Sequence, residues 1–136
     1  MSRTSHTIRS VIFATVVFLC VFELSARDYL TVDELVESKE TFHTQTVTVM
    51  GTLHLELEGD SLYGSKNRLW LDMYIPPYTE ESVLRDEARI KKYIEIFQDK
   101  SVLVTGVFNK NNKGHFGGWD AGFDYVEDIK PFEPGS

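Results

Sequence analysis

Two segments of this sequence carry one pattern. Thr46-Val47-Thr48-Val49-Met50-Gly51-Thr52-Leu53 and Ser101-Val102-Leu103-Val104-Thr105-Gly106-Val107-Phe108 match position by position. Each has two valines two apart, then a glycine, then a large apolar residue, all on the same parity. A period of two is the spacing of a strand with one buried and one wet face. A glycine on the buried parity permits the sharp bend that a closed barrel needs. The match therefore predicts two long, bent strands that pair, with Gly51 and Gly106 on the inner side of one barrel. The first is expected to run from Thr46 to Glu58, with Leu55 and Leu57 continuing the inward row and Met50 an apolar exception on the wet side.

The other elements follow from local signals. Leu30-Thr31-Val32-Asp33-Glu34-Leu35 starts a short helix: Thr31 and Glu34 make a capping box, and Leu30 and Leu35 a hydrophobic staple. Ser61-Leu62-Tyr63 reads as a short strand ending in a turn through Gly64 to Asn67. Arg68 to Ile75 is the next strand, stopped by Pro76-Pro77. Glu80 to Phe97 reads as a helix with Val83, Ile90, Ile94 and Phe97 on one face. A polar, glycine-rich stretch over 109–122 precedes a last strand from Asp124 to Ile129. Residues 133–136 read as a frayed tail.

The predicted fold is mainly β with one or two helices: a short N-terminal helix over 27–41, then a barrel over 42–132 in the order β-β-β-α-β-β. A five-stranded barrel with its helix between the third and fourth strands is the OB-fold arrangement. On the segments VTVMGTL, RLWLDMYI, KSVLVTGVF and DYVEDI, the chain resembles the small OB-fold domains of bacterial exported proteins. The resemblance is one of topology, and OB-folds host many unrelated functions.

Residues 1–26 read as a separate signal. Arg3 and Arg9 precede an apolar run from Val11 to Phe22, and Leu24-Ser25-Ala26 supplies small residues before a cut. That is the layout of a secretory signal, and the run is short for a bilayer, which takes roughly 20 apolar residues to span. The expectation is export to a periplasmic or extracellular space, with an uncleaved anchor over 11–22 as the alternative and membrane contact only in that case. Cys20 would leave with the signal, so the mature domain would need neither a disulfide nor a thiolate metal site. Losing Arg3, Arg9 and Glu23 leaves 12 basic and 20 acidic residues, a net charge of −8. Such a surface repels phosphate and argues against nucleic acid as a partner.

In an OB-fold the usual binding surface is the face of strands two and three, flanked by the loops after strands one and four. If Leu69, Leu71, Met73 and Ile75 face the core, Trp70, Asp72 and Tyr74 face outward. With Tyr63 on the neighbouring strand and His115 and Trp119 in the last loop, these aromatics would border one surface able to stack on a peptide, a glycan or a protein partner. The alternative places Trp70 and Tyr74 under the N-terminal helix or under that loop. His43, His54 and His115 fit no metal motif, and Asp120, Asp124, Glu127 and Asp128 lack EF-hand spacing, so neither a metal nor a cofactor is expected. No serine stands in a nucleophile elbow. The sequence thus points first to a binding module. The alternatives are a hydrolase using a carboxylate or histidine, such as Asp72 with His115, or a structural or envelope-stress protein without a small ligand.

Overall fold

The computed structural model describes residues 27–134. The expected secretory signal over 1–26 lies outside the described residues. The chain runs β1 (Leu30–Thr31), α1 (Val32–Glu37), α2 (Lys39–Phe42), β2 (Thr46–His54), β3 (Ser61–Tyr63), β4 (Arg68–Leu71), α3 (Glu80–Phe97), β5 (Ser101–Asn109) and β6 (Ala121–Pro131). Among the described residues no helix is long and apolar enough to cross a membrane.

Five strands close an OB-fold-like barrel. β2 pairs antiparallel with β3 and β5, β3 with β4, β4 parallel with β6, and β6 antiparallel with β5. The two matched segments lie against each other: Gly51 faces Val102 and Gly106 faces Val47. Both glycines are buried. The irregularities lie in β6, whose Asp124 and Glu127 are skipped in its register with β5 at the shifts beside Phe108 and Gly106. Each skipped residue is a bulge, which raises local twist and lets a short sheet close on itself. The predicted alternation holds inside: Val47, Val49, Leu53, Leu69, Leu71, Val102, Val104 and Phe108 are all buried in one core with Phe123, Val126 and Ile129.

β3 is only three residues long, so it leaves part of the β2 edge unpaired. β1 fills that gap, with Leu30 beside Val49 and Thr31 beside Met50. Sequence periodicity could not show this two-residue strand, and it explains why Met50 is half-covered on the face expected to be wet. Thr31 then caps α1, accepting from the Glu34 amide at 3.2 Å, and Leu35 is driven into the core. The expected single helix is two short ones, broken at Ser38, whose ψ of 27° leaves helical geometry.

Further expectations need correction: the strand from Arg68 ends at Leu71, short of Ile75. β2 stops at His54, and Leu57 is 95% exposed instead of pointing inward. Gly59 donates to the Glu56 carbonyl and Asp60 Oδ1 accepts from the Glu56 amide at 3.0 Å, so a turn overrides the alternation. β6 begins at Ala121, earlier than Asp124, because Ala121, Gly122 and Phe123 pair alongside Leu69, Trp70 and Leu71. The apolar face of α3 is weaker than its spacing predicts: Ile94 is 39% exposed. Polar groups fasten that helix instead. Asp86, 1% exposed, accepts from the Ile75 amide at 2.9 Å, and Arg89 donates to the Met73 and Val126 carbonyls at 2.7 and 3.0 Å. Gln98 brackets Leu55 through two bonds of 2.9 Å, much as another strand would.

Candidate functional site

The segment between β5 and β6 folds back over β4, and tryptophan fixes it there. Trp119 donates from Nε1 to Ser61 Oγ at 2.8 Å, and Ser61 donates on to the Gly59 carbonyl. Arg68 lies over the Trp119 ring at 4.5 Å while its Nε and Nη2 donate to the Gly118 carbonyl at 3.0 and 2.8 Å. Gly114 has φ of +75°, and a β-carbon there would sit 2.4 Å from the Trp119 ring, so only glycine fits.

This loop covers Trp70. Alternation correctly sets it opposite Leu69 and Leu71, but it is 7% exposed and Trp119 is 9% exposed. The two indoles meet edge-to-face at 4.9 Å, and His115 packs on Trp70 at the same distance. The open aromatic row is therefore absent, and the two tryptophans form a layer between loop and barrel. Of the other expected residues, Tyr74 is half-buried and His115 exposed at a cleft. Tyr63 lines a separate, smaller groove of about 290 Å³ beside Asp33 and Met50. The five residues do not border one surface.

What the structure offers instead is the cleft, about 570 Å³, between the turn after β2, the chain following β4, the start of α3 and the β5–β6 loop. That size lies within the range of small-molecule and side-chain sites. Aromatic and apolar walls come from Trp70, Tyr74, Tyr78, Leu57 and Met73. Its polar lining includes Glu58, Asp60, Asp72, Asn112 and His115. Among the described residues no lysine or arginine lines it.

The two aspartates are held in an unusual way. Burial pushes Asp60 up to about 6, against the pull of its bond from the Glu56 amide; the charges of Asp72 and Glu56 add to the rise and that of His54 opposes it. Burial also raises Asp72, with Asp124 and Asp86 adding to it, while the Tyr74 amide and His115 oppose it. Neither acid makes an ion pair among the described residues. Other acids in the fold are compensated. Asp86 is lowered despite its burial by Arg85 and the Ile75 amide, and Asp33 by the amides of Lys66 and Asn67. Half-buried carboxylates without a cation are costly to keep ionised, and such groups cluster at functional sites.

The remaining titratable candidates are accounted for elsewhere. His54 sits between Asp99 at 2.7 Å and Glu56 at 3.3 Å, and the bond to Asp99 raises it. His43 Nδ1 accepts from the Lys110 amide at 3.2 Å. The three histidines lie apart, and among the described residues no three His, Cys, Asp or Glu side chains gather as metal ligands. Sequence reasoning missed Asp60 and Tyr78. Asp60 hides in a Gly59-Asp60 turn and Tyr78 follows two prolines, so neither belongs to a periodic pattern. No protein-family model matches the chain, and no curated protein matches it either.

Proposed function

We propose that this protein is a binding module whose ligand sits in the cleft of Asp60, Asp72, Tyr74 and Tyr78. The observation behind this reading is a cavity with aromatic walls that is lined by three carboxylates and, among the described residues, by no lysine or arginine. It replaces the flat aromatic platform with a cleft, still at the OB-fold's customary position. The test is amide chemical-shift mapping with two probes, a mixture of short capped peptides and a mixture of neutral oligosaccharides. Shifts confined to Asp72–Tyr74, Tyr78 and Asn112–His115, abolished by Tyr78→Ala, are expected from one of them. Shifts centred on the groove of Tyr63 and Met50, or none with either mixture, would overturn it.

A second reading is a hydrolase. Asp60, held near pH 6 beside Asp72, is suited to general acid–base work. Turnover of an ester or glycoside with a pH–rate inflection near 6, lost in Asp60→Asn, would favour it over binding.

We further propose export, on the basic start, short apolar run and small residues of positions 1–26. N-terminal sequencing of the exported protein is expected to read from Arg27, whereas retention of residues 1–26 in a membrane fraction would make the segment an anchor.

A further inference from the structure

The chemistry of the cleft specifies more than that something binds. Three of its lining residues are carboxylates, Glu58, Asp60 and Asp72, and three are aromatics, Trp70, Tyr74 and Tyr78. Among the described residues no lysine or arginine lines the cleft to answer the acids. Aromatic faces attract cations, and desolvated carboxylates bind them through charge-assisted hydrogen bonds. A neutral sugar would leave the acids uncompensated, and an anion would be repelled.

The rim identifies the source of the cation. Leu57 is 95% exposed and Tyr78 64% exposed, and both line the cleft. A small amine would cover neither, whereas a peptide carries apolar neighbours on both sides of its basic residue. The −8 charge of residues 27–136 favours the same class of partner. We infer that the cleft recognises a lysine or arginine side chain of a peptide or protein, with its charged head against Asp60, Asp72 and Glu58, its stem along Tyr74 and Tyr78, and its neighbours on Leu57. This rests on the reading that the cleft is the binding site.

The experiment is calorimetric titration of the protein with capped pentapeptides of sequence Gly-Leu-X-Leu-Gly, where X is lysine, arginine or norleucine, and with 1,5-diaminopentane. The lysine or arginine peptide is expected to bind at least about ten-fold more tightly than the norleucine peptide, as a charge-assisted bond of ~1.5 kcal/mol implies. The double variant Asp60→Asn, Asp72→Asn is expected to erase that preference, so that the basic and norleucine peptides bind alike. Should the double variant fail to fold, Glu58→Gln, at an exposed position, is expected to weaken the lysine peptide about two-fold. Equal binding of the norleucine peptide, a preference that survives the double variant, lysine-peptide binding undiminished by Glu58→Gln, or no binding of either basic peptide would overturn the inference. Diaminopentane binding as tightly as the lysine peptide would overturn the choice of a peptide. If Tyr78→Ala still abolishes shifts caused by oligosaccharides, the cleft remains the site and only its cation specificity fails.

Discussion

Gly106→Val is expected to destabilise the barrel by about 3 kcal/mol, at the upper end of ordinary overpacking. A β-carbon on Gly106 would stand 2.4 Å from the Tyr125 carbonyl oxygen, 3.0 Å from Phe123 Cδ1 and 3.3 Å from the Val126 backbone. Two of these are main-chain atoms of a strand bulged at that point, so they cannot turn aside as a side chain can. For a domain of this size the melting temperature should fall by roughly 15 °C. Gly51→Val should cost somewhat less, about 2 kcal/mol, because a β-carbon there would meet Leu62 Cγ at 2.7 Å and the Tyr63 carbonyl oxygen at 2.9 Å, farther than the main-chain oxygen at 2.4 Å from Gly106. A denaturant melt checks the order. A Gly106 variant as stable as the parent would mean that β5 and β6 do not approach as described.

Trp119→Ala is expected to cost about 4 kcal/mol, within the range for removing a buried aromatic. It removes three things together: the edge-to-face contact with Trp70, the platform under Arg68, and the bond that Ser61 Oγ accepts. Ser61 is fully buried, so its oxygen would lose its N–H donor. Trp119→Phe should recover much of the loss, since it restores the ring but not the indole N–H. The Ala variant should also free the β5–β6 loop, which is read as faster hydrogen exchange at Gly114 to Gly118. A loss under about 1 kcal/mol would show that the loop is held without Trp119.

The parts of this fold legible in the sequence are those set by neighbours along the chain. Val47, Val49 and Leu53 alternate because a half-buried strand requires it, and Ser61–Tyr63 and Glu80–Phe97 are bounded by turn and capping residues. Even the β2–β5 pairing was visible, since the two segments repeat one inward pattern of valine, valine and glycine. The illegible parts depend on contacts between distant segments. Alternation says that Trp70 points away from Leu69, yet its burial is decided by a loop some fifty residues on, held by Arg68 and Trp119. Leu57 continues an inward row on paper and stands exposed because Asp60 turns the chain. Asp60 looked like any turn acid. Its significance comes from burial and from the nearby charges of Asp72 and Glu56, which no local pattern encodes. The candidate site therefore shifted from a row of aromatics to a cleft in which Tyr74, Trp70 and His115 surround acids.

The electrostatic state of Asp60 tests the account most directly. Its carboxyl carbon resonance, followed by NMR against pH in the folded protein and assigned by its loss in Asp60→Asn, is expected to titrate at about 6. The groups facing it are the Glu56 amide and carboxylate, Asp72 and His54. The unfolded value is about 3.9, so the folded state binds this proton more tightly. Protonating Asp60 therefore stabilises the fold, and this contribution grows as pH falls from about 6 towards 4. Asp60→Asn should remove that pH dependence. Adding the lysine peptide should pull the midpoint down, because a bound cation favours the ionised carboxylate. A midpoint near 4 in the free protein, unmoved by the peptide, would contradict the claim that the cleft holds a desolvated acid that a bound cation stabilises.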